Sequence, residues 1–457
     1  MKHLALLILL SVFAIPHSSF SAQPNLILIL ADDLGYADLG CYGNTFNETP
    51  NIDQLAHEGM RFTQFYAGPV CSPTRCNLQS GQDQARVGIT QHIPGHKRPF
   101  AKLSDPAVPL QLPLEVETFA ESLGKAGYRT GYFGKWHLGG AGFGPADQGW
   151  QMAEEIKGNT QHPPEKGGSP QRTTDVLVRK AAAFIQANKD HPFLLQISHA
   201  AVHIPLSTTP ELKAKYDKKA PMPGYPSNPE YAGLTEELDQ SVGRVVEAVE
   251  KAGIADNTLI LFLSDNGGLE HEQSGRVVTS NQPLRGEKGT LYEGGIRVPG
   301  IARWPGKVPA GSRCDTPLIT MDVFPTFTEL AGATLPTTQP CDGISLAAVI
   351  RDPAAKLARD TLHWHLPHYH HSTPASAMRQ GDWKLIEFFE DGALELYDLK
   401  TDPGEKTNLA RTETARAESM LTALQTWRKQ VNALMPVPNP KHDPARASEM
   451  GKGKKSE

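Results

Sequence analysis

Cys71 and Arg75 stand four residues apart in Cys71-Ser72-Pro73-Thr74-Arg75-Cys76-Asn77-Leu78-Gln79-Ser80-Gly81. Ser72-Pro73 is a helix-opening pair, so the spacing puts thiol and guanidinium on one helix face. The cysteine then sits near the helix N-terminus, where unpaired N–H groups and the dipole favour negative charge. Asp32-Asp33 and Asp265-Asn266 each follow an apolar run. Three carboxylates and one amide form a hard-oxygen set suited to Ca²⁺ or Mg²⁺, without the imidazoles and thiolates that zinc prefers. Lys135 and His137 lie two apart in one loop, His203 precedes Ile204-Pro205, and Lys288 sits in Gly286-Glu287-Lys288-Gly289-Thr290. Cations and N–H donors of this kind serve an anionic ester. Taken singly, each segment reads more readily as a buried or disulfide-bonded thiol, a solvated turn or a surface loop.

Positioning these residues falls to strands and helices that the pattern makes visible. Asn25 to Leu30 is a continuous apolar run suited to a central strand covered on both faces. Met60 to Tyr66, Tyr128 to Tyr132, Pro192 to Ser198 and Thr258 to Leu263 read as further strands. Pro50 to Glu58, Glu117 to Ala126, Thr173 to Asn188 and Glu230 to Ala252 read as helices between them, several closed by Gly. The alternation predicts an α/β fold with a large helix-covered, mixed but mainly parallel sheet, whose sites lie at strand ends. Residues 140 to 171 read as a surface excursion near the site. Beyond Asp342-Gly343, short strands at Ser376 to Arg379, Trp383 to Phe389 and Leu394 to Leu399 and a helix from Glu413 to Leu434 predict a smaller antiparallel-sheet-plus-helix subdomain.

Cys-x-Pro-x-Arg with a Gly six residues after the arginine resembles the maturation signature of type I sulfatases, members of the alkaline phosphatase-like superfamily. Asp32-Asp33, Gly134-Lys135-Trp136-His137, His203-Ile204-Pro205, Ser264-Asp265-Asn266-Gly267 and Gly286 to Gly295 resemble that family's other blocks, in its order, from about Asn25 to Leu399. The resemblance implies that Cys71 is oxidised by a maturation enzyme to formylglycine (3-oxoalanine), the hydrate of which attacks sulfur. It implies calcium ligands Asp32, Asp33, Asp265, Asn266 and modified Cys71. Arg75 would assist deprotonation, Lys135, His203 and Lys288 would bind sulfate, His203 or Lys288 would protonate the leaving alcohol, and His137 would accept the second hydroxyl's proton. Gln79-Ser80-Gly81 departs from the Leu-Thr-Gly of many relatives.

His363, His365, His368, His370 and His371 crowd one segment near Arg379. They read either as a histidine-rich strand and loop or as a carbohydrate subsite built on His368, His370 or Arg379; Gln91-His92 reads as pocket lining or as a turn. Leu366 to His370 through Glu395 to Leu399 resembles bacterial sulfatases of sulfated glycans, which favours a carbohydrate sulfate over an aryl sulfate. The rivals are a phosphatase or phosphodiesterase of the superfamily and a secreted glycan-binding protein with an unmodified cysteine.

The 457 residues, 39% hydrophobic, are enough for a large core, and a net charge of −5 gives no general attraction to nucleic acid or anionic membrane. Met1-Lys2-His3 and the apolar Leu4 to Ile15 read as a secretory signal rather than a stable membrane span, which predicts an exported, periplasmic or secreted bacterial protein. The expected organisation is a signal peptide at 1–22, a catalytic domain at 23–345, a subdomain at 346–435 and a loose tail at 436–457. Five cysteines make an odd set. With Cys71 consumed, Cys314 and Cys341 are the better candidates for a bridge, while Cys41 and Cys76 read as paired or as free buried thiols.

Overall fold

The computed structural model describes residues 23–162 and 170–451; the expected signal segment lies outside them. Its frame is a nine-stranded sheet centred on the strand Asn25–Ala31. Side chains alternate across that strand: Leu26, Leu28 and Leu30 enter one apolar cluster, Ile27, Ile29 and Ala31 the other. A strand with both faces dry must be apolar throughout, which is why this one carries no polar alternation. Phe193–Ser198 and Thr258–Ser264 flank it in parallel, and Arg129–Gly134 continues in parallel beyond Phe193–Ser198. The mixed character comes from Arg297–Arg303, which runs antiparallel between Thr258–Ser264 and Met60–Tyr66. At the opposite edge Met152–Glu154 joins Arg129–Gly134 in parallel, so the expected excursion at 140–171 returns one strand to the sheet.

Helices Pro50–His57, Thr173–Asn188 and Pro229–Lys251 cover one face, where Ile52, Leu177, Leu234 and Leu238 pack with the strand residues. The long helix starts where Asn228 accepts the N–H groups of Glu230 and Tyr231 and Pro229 fills the first position. Helices Cys71–Ser80, Phe119–Lys125 and Val323–Leu330 cover the other face through Cys76, Leu78, Phe119, Leu123 and Phe324.

A four-stranded antiparallel sheet follows, Thr361–Leu366, Ala375–Gln380, Trp383–Phe388 and Leu394–Asp398, paired in chain order. One face packs on the helix Thr414–Gln430 through Met378, Leu385, Leu396, Met420 and Leu424. The other joins Tyr66, Leu291 and Ile296 of the large domain through Trp364, Ala377 and Ile386.

Two expectations require correction. The chain after Pro436 is not loose through 451: Val437–Pro438 pairs antiparallel with Leu103–Ser104, and Asn439 Nδ2 donates to the Pro99 and Ala101 carbonyls. Pairing two edges satisfies backbone groups that composition alone leaves to solvent. All five cysteines are free. Cys314 is buried under the sheet edge while the Cys341 thiol faces the Gly81 and Gly343 carbonyls, so flanking one helical segment did not bring them together.

Candidate active site

Parallel pairing lines up the carboxyl ends of the central strands, with Ala31 opposite Ser264, and Leu30 and Gly134 both opposite Ser198. The next residues are therefore Asp32, Asp265, Lys135 and His199, all leaving one edge of the sheet. Main-chain bonds fix the exits: Asp32 N–H to Ala201 O at 2.9 Å, Asp265 N–H to Ala31 O at 3.0 Å and Lys135 N–H to Ser198 O at 2.8 Å. Cys71 is the first residue of its helix and all ten residues of that helix are buried, which points the N-terminus into this edge. Gln79, the departure within the signature, is held by Gln196 at 2.8 Å and accepts from Trp150 at 3.3 Å.

The Cys71 thiol lies 3.6 Å from Asp32 Oδ1 and 3.6 Å from Lys135 Nζ. Arg75 reaches past it, donating to Asp265 Oδ2 through Nη2 at 2.8 Å and Nε at 3.2 Å, and to the Lys135 carbonyl at 2.6 Å. Lys288 Nζ donates to both Asp33 oxygens, at 2.6 and 2.8 Å, and Lys135 Nζ is paired with Asp32. His203 Nε2 stands 3.6 Å from Asp33 Oδ2. Ligand atoms of Asp32, Asp33, Cys71 and His203 all lie within 4.8 Å of one another. Asn266 donates Nδ2 to Asp33 Oδ1 at 2.8 Å, whereas its buried Oδ1 has no partner.

Charge is crowded here. Burial pushes Asp265 up to about 6, aided by the neighbouring Asp32 charge and opposed by Arg75. Burial works in the same direction on Asp32 and Asp33, but the cations outweigh it: Lys135, His203 and Arg75 hold Asp32, and Lys288 and His203 hold Asp33, below the usual carboxylate range. Three carboxylates and an orphaned amide oxygen fit a hard divalent cation, which would satisfy Asn266 Oδ1 and offset the burial and the Asp32 charge that raise Asp265. Burial also pushes the Cys71 thiol up to about 12, against the pull of Lys135 and Lys288. A thiol neutral at physiological pH is a poor nucleophile as it stands.

His137 has a single ring bond, from Nε2 to the Ile93 carbonyl at 2.6 Å. A carbonyl only accepts, so Nε2 carries the proton and the buried, unpartnered Nδ1 presents a lone pair. Burial, then the Lys135 and Arg75 charges, hold this ring down to about 2 and keep it neutral. Ser72 ties the loop in place by donating to the His137 carbonyl at 2.9 Å and accepting from Ile93 N–H at 3.1 Å.

A cavity of about 350 Å³ opens over Cys71, lined also by His92, His137, His203, Lys288 and His370. His92 and His370, offered from sequence as substrate contacts, both line this cavity. His368 does not: it is bonded to Thr90 Oγ1 at 2.8 Å and buried in the wall. Arg379 is also displaced from the site, because its strand turns it into the interface between sheets, where it donates to Tyr66 Oη and Gly381 O. His363 stacks on Trp427 and His365 bonds Ser376 Oγ, so much of the histidine-rich segment is structural. Sequence reasoning missed His96, His271 and Leu269 in the lining. The His92-Ile93-Pro94-Gly95-His96 spacing was the available signal for His96, a turn that returns the second ring towards the first.

Residues 24–333 match the family described as Sulfatase, and residues 286–431 that described as N-sulphoglucosamine sulphohydrolase, C-terminal. A sulfatase of Formosa agariphila is 33% identical, covering 90% of this chain and 90% of its own. Human arylsulfatase A is 32% identical over 88% of this chain and 86% of its own. Ps i-CgsB, solved in complex with k-i-k-neocarrahexaose, superposes with a TM-score of 0.75 at 30% identity, covering 89% of this chain and 92% of that one. Between them the two family matches span every residue that lines the cavity over Cys71. The chain belongs to the sulfatase family of sulfuric ester hydrolases.

Proposed function

We propose that this protein removes sulfate from a sulfated carbohydrate through formylglycine made from Cys71, with calcium held by Asp32, Asp33, Asp265 and Asn266. The observation that carries the reading is that Cys71, kept as a neutral thiol, shares a cavity with His203 and Lys288 and lies against Asp32 and Lys135, while Asn266, bonded to Asp33, keeps a buried Oδ1 without a partner. The neocarrahexaose complex of Ps i-CgsB supports a glycan rather than a simple aryl substrate.

Formylglycine would supply, as its hydrate, two geminal hydroxyls at residue 71, one to attack sulfur with its proton lost to solvent and one to give up its proton as sulfate is released. Calcium, held by Asp32, Asp33, Asp265 and Asn266, would supply charge that makes the attacking hydroxyl more acidic. Arg75 holds Asp265 and the Lys135 carbonyl, which orients both sides of the floor. Lys135 and Lys288 bind sulfate oxygens with Nζ and compensate the charge that grows on them. His203 Nε2 donates to the leaving oxygen. His137 Nδ1, free because Nε2 is committed to Ile93, accepts the proton of the second hydroxyl. His92 and His370 line the space where the sugar lies.

Matched sulfated and phosphorylated sugars test the reading. Turnover is expected on the sulfate ester, lost on chelation and restored by Ca²⁺. Faster turnover of the phosphate ester, or full activity in chelator, would overturn it.

A further inference from the structure

His92, His96 and His370 present ring nitrogens that all lie within 4.8 Å of one another, on the same cavity as Cys71. The rings are packed on each other, with centroids 4.4 Å apart for His92–His96, 4.8 Å for His96–His370 and 5.3 Å for His92–His370. Nδ1 of His92 and Nδ1 of His370 are buried with no hydrogen-bond partner, and His370 is only 7% exposed. Imidazoles buried without partners lose their hydration with nothing in return. Two chain features hold the arrangement. Pro94-Gly95 brings His96 back beside His92, and Gly289, at φ +77°, leaves room for the His370 ring, since a Cβ there would lie 1.8 Å from Nδ1.

We infer that His92, His96 and His370 form a second metal site, selective for a borderline divalent cation such as Zn²⁺ and distinct from the oxygen site at Asp32 and Asp33. The donor chemistry separates the two: imidazole suits zinc, copper and nickel, whereas carboxylate and amide oxygens suit calcium. Tetrahedral zinc sets its ligand nitrogens about 3.3 Å apart, so the rings close inward on the ion. The loop backbone is held at Ile93, so the half-buried His92 and His96 close by turning their side chains. Burial also keeps the three rings neutral, the form that binds metal without first losing a proton. Three protein ligands leave a fourth position open to the cavity, where it takes an oxygen of the bound sugar or a water.

The test uses full-length protein carrying Cys71→Ser, saturated with Ca²⁺, so that neither the thiol nor the oxygen site competes. Equilibrium dialysis against Zn²⁺ is expected to show one tightly bound ion per chain. His96→Ala and His370→Ala should each weaken it by about tenfold or more. Co²⁺ at the same site should give the visible absorption of a four-coordinate ion. His96 is a half-buried loop residue, so its variant tests the site without disturbing a core. Absence of Zn²⁺ binding, or binding unchanged in His96→Ala, would overturn the inference. Metal binding is read without turnover, so failure here and failure of the sulfatase mechanism are separate results.

Discussion

Asp83 caps the short helix Gln84–Val87 by accepting the Ala85 N–H at 2.8 Å, and it is only 2% exposed. Burial first, then the Asp342 charge, push its carboxyl from 3.8 to about 7, against the Ala85 bond and Arg86. Between those two values the unfolded chain has released a proton that the folded chain still holds. Stability therefore falls as pH rises across the window and is level on either side. Asp83→Asn keeps the capping acceptor and removes the charge. It should flatten that pH dependence and gain on the order of 2 kcal/mol above the window. Thermal melts against pH check this; an unchanged slope would contradict it. At this scale the sequence was informative where residue type sets the chemistry. Asp32, Asp33, Cys71, Arg75, Lys135, His137, His203, Asp265, Asn266 and Lys288 were all named from motif and spacing, and the structure gathers them at one sheet edge. Arg379 was misplaced because a side chain's direction on a strand depends on register, and His368 because it lies in the loop after Leu366, whose path residue type does not reveal.

Strand ends carry the site, and the glycines beside them govern how closely the ends approach. Gly134 closes its strand at φ +117°, and a Cβ added there would lie 1.9 Å from the Ser198 carbonyl that accepts the Lys135 N–H. Gly134→Ala should therefore move Lys135 away from Cys71, lowering kcat/KM by about tenfold or more. The strain should cost on the order of 1–3 kcal/mol in stability. Steady-state kinetics with a thermal melt check both effects, and wild-type values in each would refute the placement of Lys135. Apolar runs made the parallel strands legible, since a strand dry on both faces has no other composition available. The antiparallel insertion of Arg297–Arg303 between Thr258–Ser264 and Met60–Tyr66 was not legible, because pairing partners distant in sequence leave no local pattern. The same holds for Val437–Pro438 on Leu103–Ser104.

Across the whole molecule a net charge of −5 coexists with a cavity lined by Lys288 and several histidines, so attraction for an anionic ester is local. The cavity wall is shared: Cys71 comes from a helix of the large domain, His137 and His203 from loops beyond its strands, and His370 from the chain following the first strand of the small sheet. Among the described residues no helix is long and apolar enough to cross a membrane. The most direct measurement follows sulfate release from defined sulfated oligosaccharides while the mass of the peptide carrying residue 71 is read from the same preparation. We predict multiple turnovers in wild-type protein whose residue 71 has the mass of formylglycine, and none in Cys71→Ser. Multiple turnover by Cys71→Ser, or by wild-type protein with an unmodified thiol, would contradict the account.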